Sequence, residues 1–205
     1  MSFDLIDQQA TKKLIIDKLA QIGEHHQTDV LVVYFAGHGI AIDGEWYFLP
    51  HETTYQNNEQ YFTQVGLSAK QIKELLAKSP AQKILVLIDA CYSGAGIKAL
   101  EELQNSQRHF SRDLSRSVGI VVLAATRQDQ EAMELSALGH GLFTYVVNNG
   151  MQGAADQNPP DRKITAHELV NYSTATIPAF SKKFSRAAQE PSSFAIGEDF
   201  ILLDQ

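Results

Sequence analysis

Three short apolar runs constrain this chain most. They are Val30-Leu31-Val32-Val33-Tyr34-Phe35, Ile84-Leu85-Val86-Leu87-Ile88 and Gly119-Ile120-Val121-Val122-Leu123-Ala124. Each is unbroken rather than alternating, and each is rich in β-branched residues. Strands covered on both faces read this way, as in a parallel sheet. A fourth, weaker strand is expected within Phe194 to Leu203. Helical patterns fall between the runs. Ile15, Leu19 and Ile22 follow i, i+4, i+7 spacing. Ser68 with Gln71 forms a capping box before Ile72, Leu75 and Leu76, and Thr165 with Glu168 forms another before Leu169 and Val170. Gly141 to Val147 is expected to be helical as well, while His51 to Asn58 and Gln152 to Lys163 read as loops. Strands alternating with helices imply an open α/β sandwich with right-handed crossovers and a mostly parallel central sheet.

At 205 residues, 44% of them hydrophobic, the chain suffices for one domain with a proper core, or two at most. The net charge of −7 argues against a general nucleic-acid binder and against an anionic membrane surface. Apolar stretches run to roughly eight residues, as in Val118 to Ala125, where a membrane helix needs roughly 20. The start Met1-Ser2-Phe3-Asp4 lacks the pattern of a signal peptide, so a cytoplasmic location is the expectation. There is one cysteine, Cys91. It cannot form an internal disulfide or a Cys-rich zinc site. It is either a small buried apolar residue or a reactive thiol.

In open α/β sheets, ligands bind outside the carboxyl ends of the strands. After the first run comes Ala36-Gly37-His38-Gly39, and after the second Asp89-Ala90-Cys91-Tyr92-Ser93-Gly94. After the third comes the polar loop Ala125 to Glu131. With these strands adjacent and in register, His38 and Cys91 face each other on one rim. A thiol needs deprotonation, and a nearby histidine supplies the base or ion-pair partner. The backbone N–H groups of Gly39 and Cys91 could then point at a developing oxyanion. Asp89, two residues before Cys91, would line a substrate pocket and attract a cation. Plain alternatives exist for each: a turn role for His38, packing for Cys91, capping of the following helix for Asp89. His25, His26, His51, His109, His140 and His167 read as surface or loop residues, with no metal-site spacing. No P-loop, hydrolase nucleophile elbow or Gly-x-Gly-x-x-Gly is present.

These motifs resemble a known family. Val30 to Gly39, ending Tyr-Phe-Ala-Gly-His-Gly, resembles the catalytic histidine segment of the caspase-like cysteine peptidases. Leu87-Ile88-Asp89-Ala90-Cys91-Tyr92-Ser93-Gly94 resembles their catalytic cysteine segment. Cys91 follows His38 by 53 residues, near the roughly 50 of caspases. The likeness is to the metacaspase and bacterial caspase-like branch. The Gln-Ala-Cys-x-Gly signature is absent, Asp89 standing where Gln would and Gly94 falling three residues after the cysteine. The resemblance extends from about Phe3 to Phe200 and implies a three-layer α/β/α sandwich. It implies a cysteine endopeptidase with His38 and Cys91 as the catalytic pair. It also implies that Asp89 favours Arg or Lys before the scissile bond. Residues 1–94 would be large-subunit-like, 95–117 a linker and 118–205 small-subunit-like. Asp129, Glu131 or Glu134 could add negative charge to the pocket. No cofactor or metal is expected. Calcium activates some metacaspases, but no compact calcium loop stands in this sequence. The expected partner is a protein or peptide substrate, with an appended sensor domain left open.

One departure stands out. Family members open with a buried strand and a helix before the region matching Phe3, and that strand lies beside the histidine-bearing one. Lacking them, the chain looks like a fragment, a truncated gene model, or a piece of a split or processed protein. The edge of Val30–Phe35 would then be unpaired. Metacaspase-like enzymes often cut themselves after basic residues, here Lys98, Arg108, Arg112 or Arg116 in the linker. The alternative for that segment is a solvated helix and loop. Two rivals to a peptidase remain, a catalytically silent interaction module and another Cys-dependent acyl hydrolase or transferase. Marginal stability is the expectation for the isolated chain. A urea midpoint typical of intact domains would contradict it.

Overall fold

Runs of side chains that are apolar at every position can only be buried between two layers, and the second and third runs are placed so. The computed structural model describes residues 2–24, 30–54, 58–101, 119–135, 140–157, 159–184 and 188–204. Its main sheet joins β1 (Val30–Ala36), β5 (Lys83–Asp89), β6 (Gly119–Ala124) and β10 (Ser192–Gly197) in the order β1-β5-β6-β10. The first three strands are parallel and β10 is antiparallel. Ile84, Val86 and Ile88 point into one core with Ile15, Leu19, Ile72 and Leu76. Leu85 and Leu87 point into the other, with Val121, Leu123, Phe143, Leu169 and Ile177. The period of two along a strand sends alternate residues to opposite layers, so two-sided burial requires an apolar residue at each place.

Two helices of the first layer are α1 (Lys12–Glu24) and α3 (Ala69–Leu76). A third, α4 (Gly94–Glu101), follows β5. Opposite lie α5 (Leu142–Asn149), continued by a π turn over Gly150–Ala154, and α6 (Ala166–Ser181). Both expected capping boxes are present: Ser68 with Gln71, and Thr165 with Glu168. Gly141 proves to be the N-cap of α5 rather than its first residue. No helix among the described residues is long and apolar enough to cross a membrane.

Three expectations need correction. The first concerns β1, whose second face is covered only in part, with Val30 packed against the second core. Val33 and Phe35 are buried, while Val32 and Tyr34 are 48% and 46% exposed. The cause is position: β1 pairs with β5 on one side and, among the described residues, with no strand on the other, and α6 packs over β6 and β10. Second, Phe194 to Leu203 is two strands. Gly197 takes a left-handed φ of 84°, ending β10, and β11 (Ile201–Asp204) pairs instead with β9 (Lys163–Thr165). Third, the loop expected over Gln152 to Lys163 starts in the π turn and ends in β9.

One hairpin was not foreseen. Directly after β1 come β2 (His38–Ile42) and β3 (Glu45–Leu49), and β4 (Leu67–Ser68) extends them to a three-stranded sheet. Asp43 and Gly44 both have positive φ, 51° and 80°, as a two-residue type I′ turn requires. His38 therefore starts a strand, and the turn falls on Gly37 before it. A short helix, α2 (Glu59–Val65), precedes β4.

Replacing Thr165 with Ala removes the α6 cap, in which its hydroxyl accepts from the Glu168 N–H at 3.2 Å. Urea unfolding of Thr165→Ala should show a loss of about 1 kcal/mol with unchanged m.

Candidate active site

The rim begins where β1 and β5 end. Ala36 pairs with Asp89, and the Gly37 N–H donates to the Asp89 carbonyl at 3.1 Å. Gly37 has φ 149°, a conformation side chains disfavour, and it turns the chain from β1 into the hairpin. Two residues on, a Cβ on Gly39 would lie 2.7 Å from the Cys91 carbonyl oxygen and 2.6 Å from Nε1 of Trp46. Only glycine fits there. The two strands thus continue side by side past their ends, with His38 between a contact to Asp89 and a contact to Cys91. His38 is exposed and Cys91 partly exposed. The structure brings together the two segments that the sequence pairs.

The Cys91 turn is held on three sides. Trp46, fully buried, donates from Nε1 to the Cys91 carbonyl at 3.1 Å. The Tyr92 N–H donates to the Gln130 carbonyl at 2.8 Å. Tyr92 itself has φ 56°, which is strained for a non-glycine residue. Below it, Ser93 and Thr126 are both fully buried and bond reciprocally. The Ser93 N–H donates to Thr126 Oγ1 at 3.1 Å and the Thr126 N–H to Ser93 Oγ at 3.2 Å. Gly94 lies so close to the next loop that a Cβ would sit 2.7 Å from backbone atoms of Thr126, Arg127 and Gln128. Sequence reasoning missed Trp46, Ser93 and Thr126. Asp43-Gly44 between two short apolar runs was the available signal for the hairpin that carries Trp46. For the Ser93–Thr126 pair there was none beyond each lying past a strand end.

Asp89 lies on the opposite side of β5 from Ile88. Its Oδ2 accepts from the Thr144 N–H at 3.2 Å and from the Thr144 hydroxyl. Thr144 is in the first turn of α5, so Asp89 caps that helix and not the one that follows it in sequence. Gly141 abuts the same carboxylate, its absent Cβ 2.7 Å from Oδ2. Tyr34 Oη lies 2.5 Å from Thr144 Oγ1. Burial, chiefly, raises the Tyr34 phenol above its ordinary pKa, with the Asp89 charge adding to it against the Thr144 hydrogen bond.

Of the three further acids, Glu131 reaches the site's edge, accepting from the Tyr92 hydroxyl at 3.3 Å. Burial first and the Glu131 charge second raise the Tyr92 phenol. Asp129 stands in an exposed turn. Glu134 pairs through its backbone with Gly141, and its side chain lies outside the described residues. His51 is exposed, and His167 Nδ1 is 3.6 Å from Asp199 Oδ2. His140 lies in β8 (His140–Gly141), which pairs with β7 (Glu134–Leu135), with its side chain outside the described residues. His25, His26, His109, Arg108, Arg112 and Arg116 also fall outside them, as does the Lys98 side chain. Among the described residues, no group of three or more His, Cys, Asp or Glu could hold a metal ion.

If the Ser93–Thr126 pair pins the Cys91 turn, Ser93→Ala leaves buried donors unmatched and should cost about 1–3 kcal/mol in urea unfolding. Adding Thr126→Ala should cost much less than the sum, a coupling of about 0.5–3 kcal/mol. Additive losses would contradict the pairing.

The comparisons agree with this architecture. A solved structure of protein GSU0716 from Geobacter sulfurreducens is similar, with a TM-score of 0.57 and 13% sequence identity, covering 93% of this chain and 75% of that one. At that identity the likeness is one of fold. A search of the curated proteins found no match. The caspase domain of the peptidase C14 group matches residues 3–195, nearly the whole length. The chain therefore belongs to the caspase-domain family.

Proposed function

We propose that this protein is a cysteine endopeptidase that cleaves after Arg or Lys. The observation that carries the reading is the close approach of Gly39 to the Cys91 carbonyl, which sets His38 beside the cysteine turn at the carboxyl rim of a parallel sheet. Cys91 Sγ attacks the peptide carbonyl as His38 takes the thiol proton. A tetrahedral oxyanion forms, and the N–H groups of Gly39 and Cys91 hold it. The hairpin register favours this for Gly39. Ile42 and Glu45 flank the two-residue turn and form a hydrogen-bonded pair, so the alternation leaves Gly39 and Phe48 a non-bonded pair. The Gly39 N–H then points away from β3. Collapse of the intermediate breaks the C–N bond, and His38 gives its proton to the leaving amine. A water, deprotonated by His38, hydrolyses the resulting thioester, releasing the new carboxylate and restoring the thiol.

Asp89 reads the cation of the residue before the cut. Glu131, bonded to Tyr92 next to the nucleophile, adds negative charge at the rim.

A fluorogenic peptide ending in Arg tests the reading. Cleavage should fall about 10³-fold or more in Cys91→Ala and in His38→Ala. Asp89→Asn should reduce cleavage after Arg and Lys by about ten-fold or more while sparing a neutral residue. Absence of cleavage with Arg and Lys substrates would favour the silent interaction module. Cleavage that survives in Cys91→Ala would point to another chemistry. Self-cutting after Lys98, Arg108, Arg112 or Arg116 should disappear in Cys91→Ala, and equal nicking of that variant would remove autoprocessing from the proposal.

A further inference from the structure

We infer that Thr144, oriented by Tyr34, is the positioning residue that fixes the Asp89 carboxylate for recognition of a basic side chain. The inference rests on the reading of Asp89 as the specificity acid. Three elements meet at this point. Asp89 ends β5, Tyr34 comes from the exposed face of β1, and Thr144 comes from the first turn of α5. Ala36 pairs with Asp89, so Tyr34, two residues earlier, projects on the same face as the carboxylate.

The direction of each hydrogen bond follows from proton count. An ionised carboxylate only accepts, so the Thr144 hydroxyl gives its single proton to Asp89 Oδ2. Thr144 Oγ1 then has only lone pairs to offer, and the Tyr34 phenol, 2.5 Å away, must donate. The raised pKa of Tyr34 is consistent with a phenol that keeps its proton. The chain runs from Tyr34 O–H to Thr144 O–H to Asp89, each bond polarising the next.

A second bond from the same residue, the Thr144 N–H to Oδ2 at 3.2 Å, makes the hold two-pointed. Gly141 closes against the same oxygen. One carboxylate oxygen is therefore fixed by one residue from two atoms, and the plane of the group cannot rotate freely. With Oδ2 held by Thr144, the carboxylate presents its charge to an incoming cation in one fixed direction, so that orientation decides the strength of the charge-assisted contact. Tyr34 is otherwise hard to explain: it is 46% exposed on a strand that pairs on one side among the described residues, and its hydroxyl bond runs across to α5.

Binding to the Cys91→Ala protein tests this without turnover. Isothermal titration would compare one peptide ending in arginine with the same peptide ending in citrulline, its neutral isostere. The parent should prefer arginine. Thr144→Val, of the same shape, should cut that preference about ten-fold, as expected for a disturbed charge-assisted contact, and leave citrulline binding unchanged. Thr144→Ser should restore it to within about three-fold, and Tyr34→Phe should produce a smaller loss in the same direction. No arginine preference in the parent would overturn the reading of Asp89 and this inference with it. A preference that survives Thr144→Val would overturn the inference alone. So would an equal weakening of both peptides, which marks a merely structural residue, or failure of Thr144→Ser to restore the preference.

Discussion

The parallel pairing of β1 with β5, carried past the ends of both strands, is the constraint on which the rest depends. Inside the sheet it is ordinary, Val30 opposite Lys83 through Ala36 opposite Asp89. Beyond the sheet it continues as a Gly37 hydrogen bond to Asp89 and a Gly39 contact with the Cys91 carbonyl. Two glycines make this possible, one by its backbone conformation and one by its lack of a Cβ. Without that extension, His38 and Cys91 would sit on separate loops. With it, two segments distant in sequence share one rim.

The rim is held by buried side chains other than His38 and Cys91. Trp46 fills the space between Gly39 and Gly96 and grips the Cys91 carbonyl. The buried Ser93–Thr126 pair ties the cysteine turn to the end of β6. Gln189, also buried, bonds the Ala125 carbonyl and the Met133 N–H, so the far wall of the rim is anchored to the segment before β10. Each polar group here is matched, as burial demands. Such support is what allows a strained φ at Tyr92 to persist beside Cys91.

What was legible in the sequence was local or strongly periodic. Both capping boxes span three residues and appear as read. The runs of β5 and β6 announce two-sided burial because each position must be apolar. The run of β1 is as apolar but less covered, since a run reports what a strand tolerates and not which neighbours pack on it. His38, Cys91 and Gly94 stood out because they follow strand ends in motifs. Trp46 went unread with its hairpin, although its Asp43-Gly44 turn was visible. Ser93 with Thr126 and Asp89 with Thr144 were illegible for a different reason. They meet across 33 and 55 residues, and only the sheet order brings them together.

The central claim is that the geometry makes Cys91 a histidine-assisted nucleophile at a site that reads basic residues. Covalent labelling with a peptidyl-arginine chloromethyl ketone, followed by mass mapping, tests it most directly. The account predicts a single adduct on Cys91, formed far more slowly in His38→Ala and with a neutral analogue. No adduct, or equal labelling in His38→Ala, would contradict it.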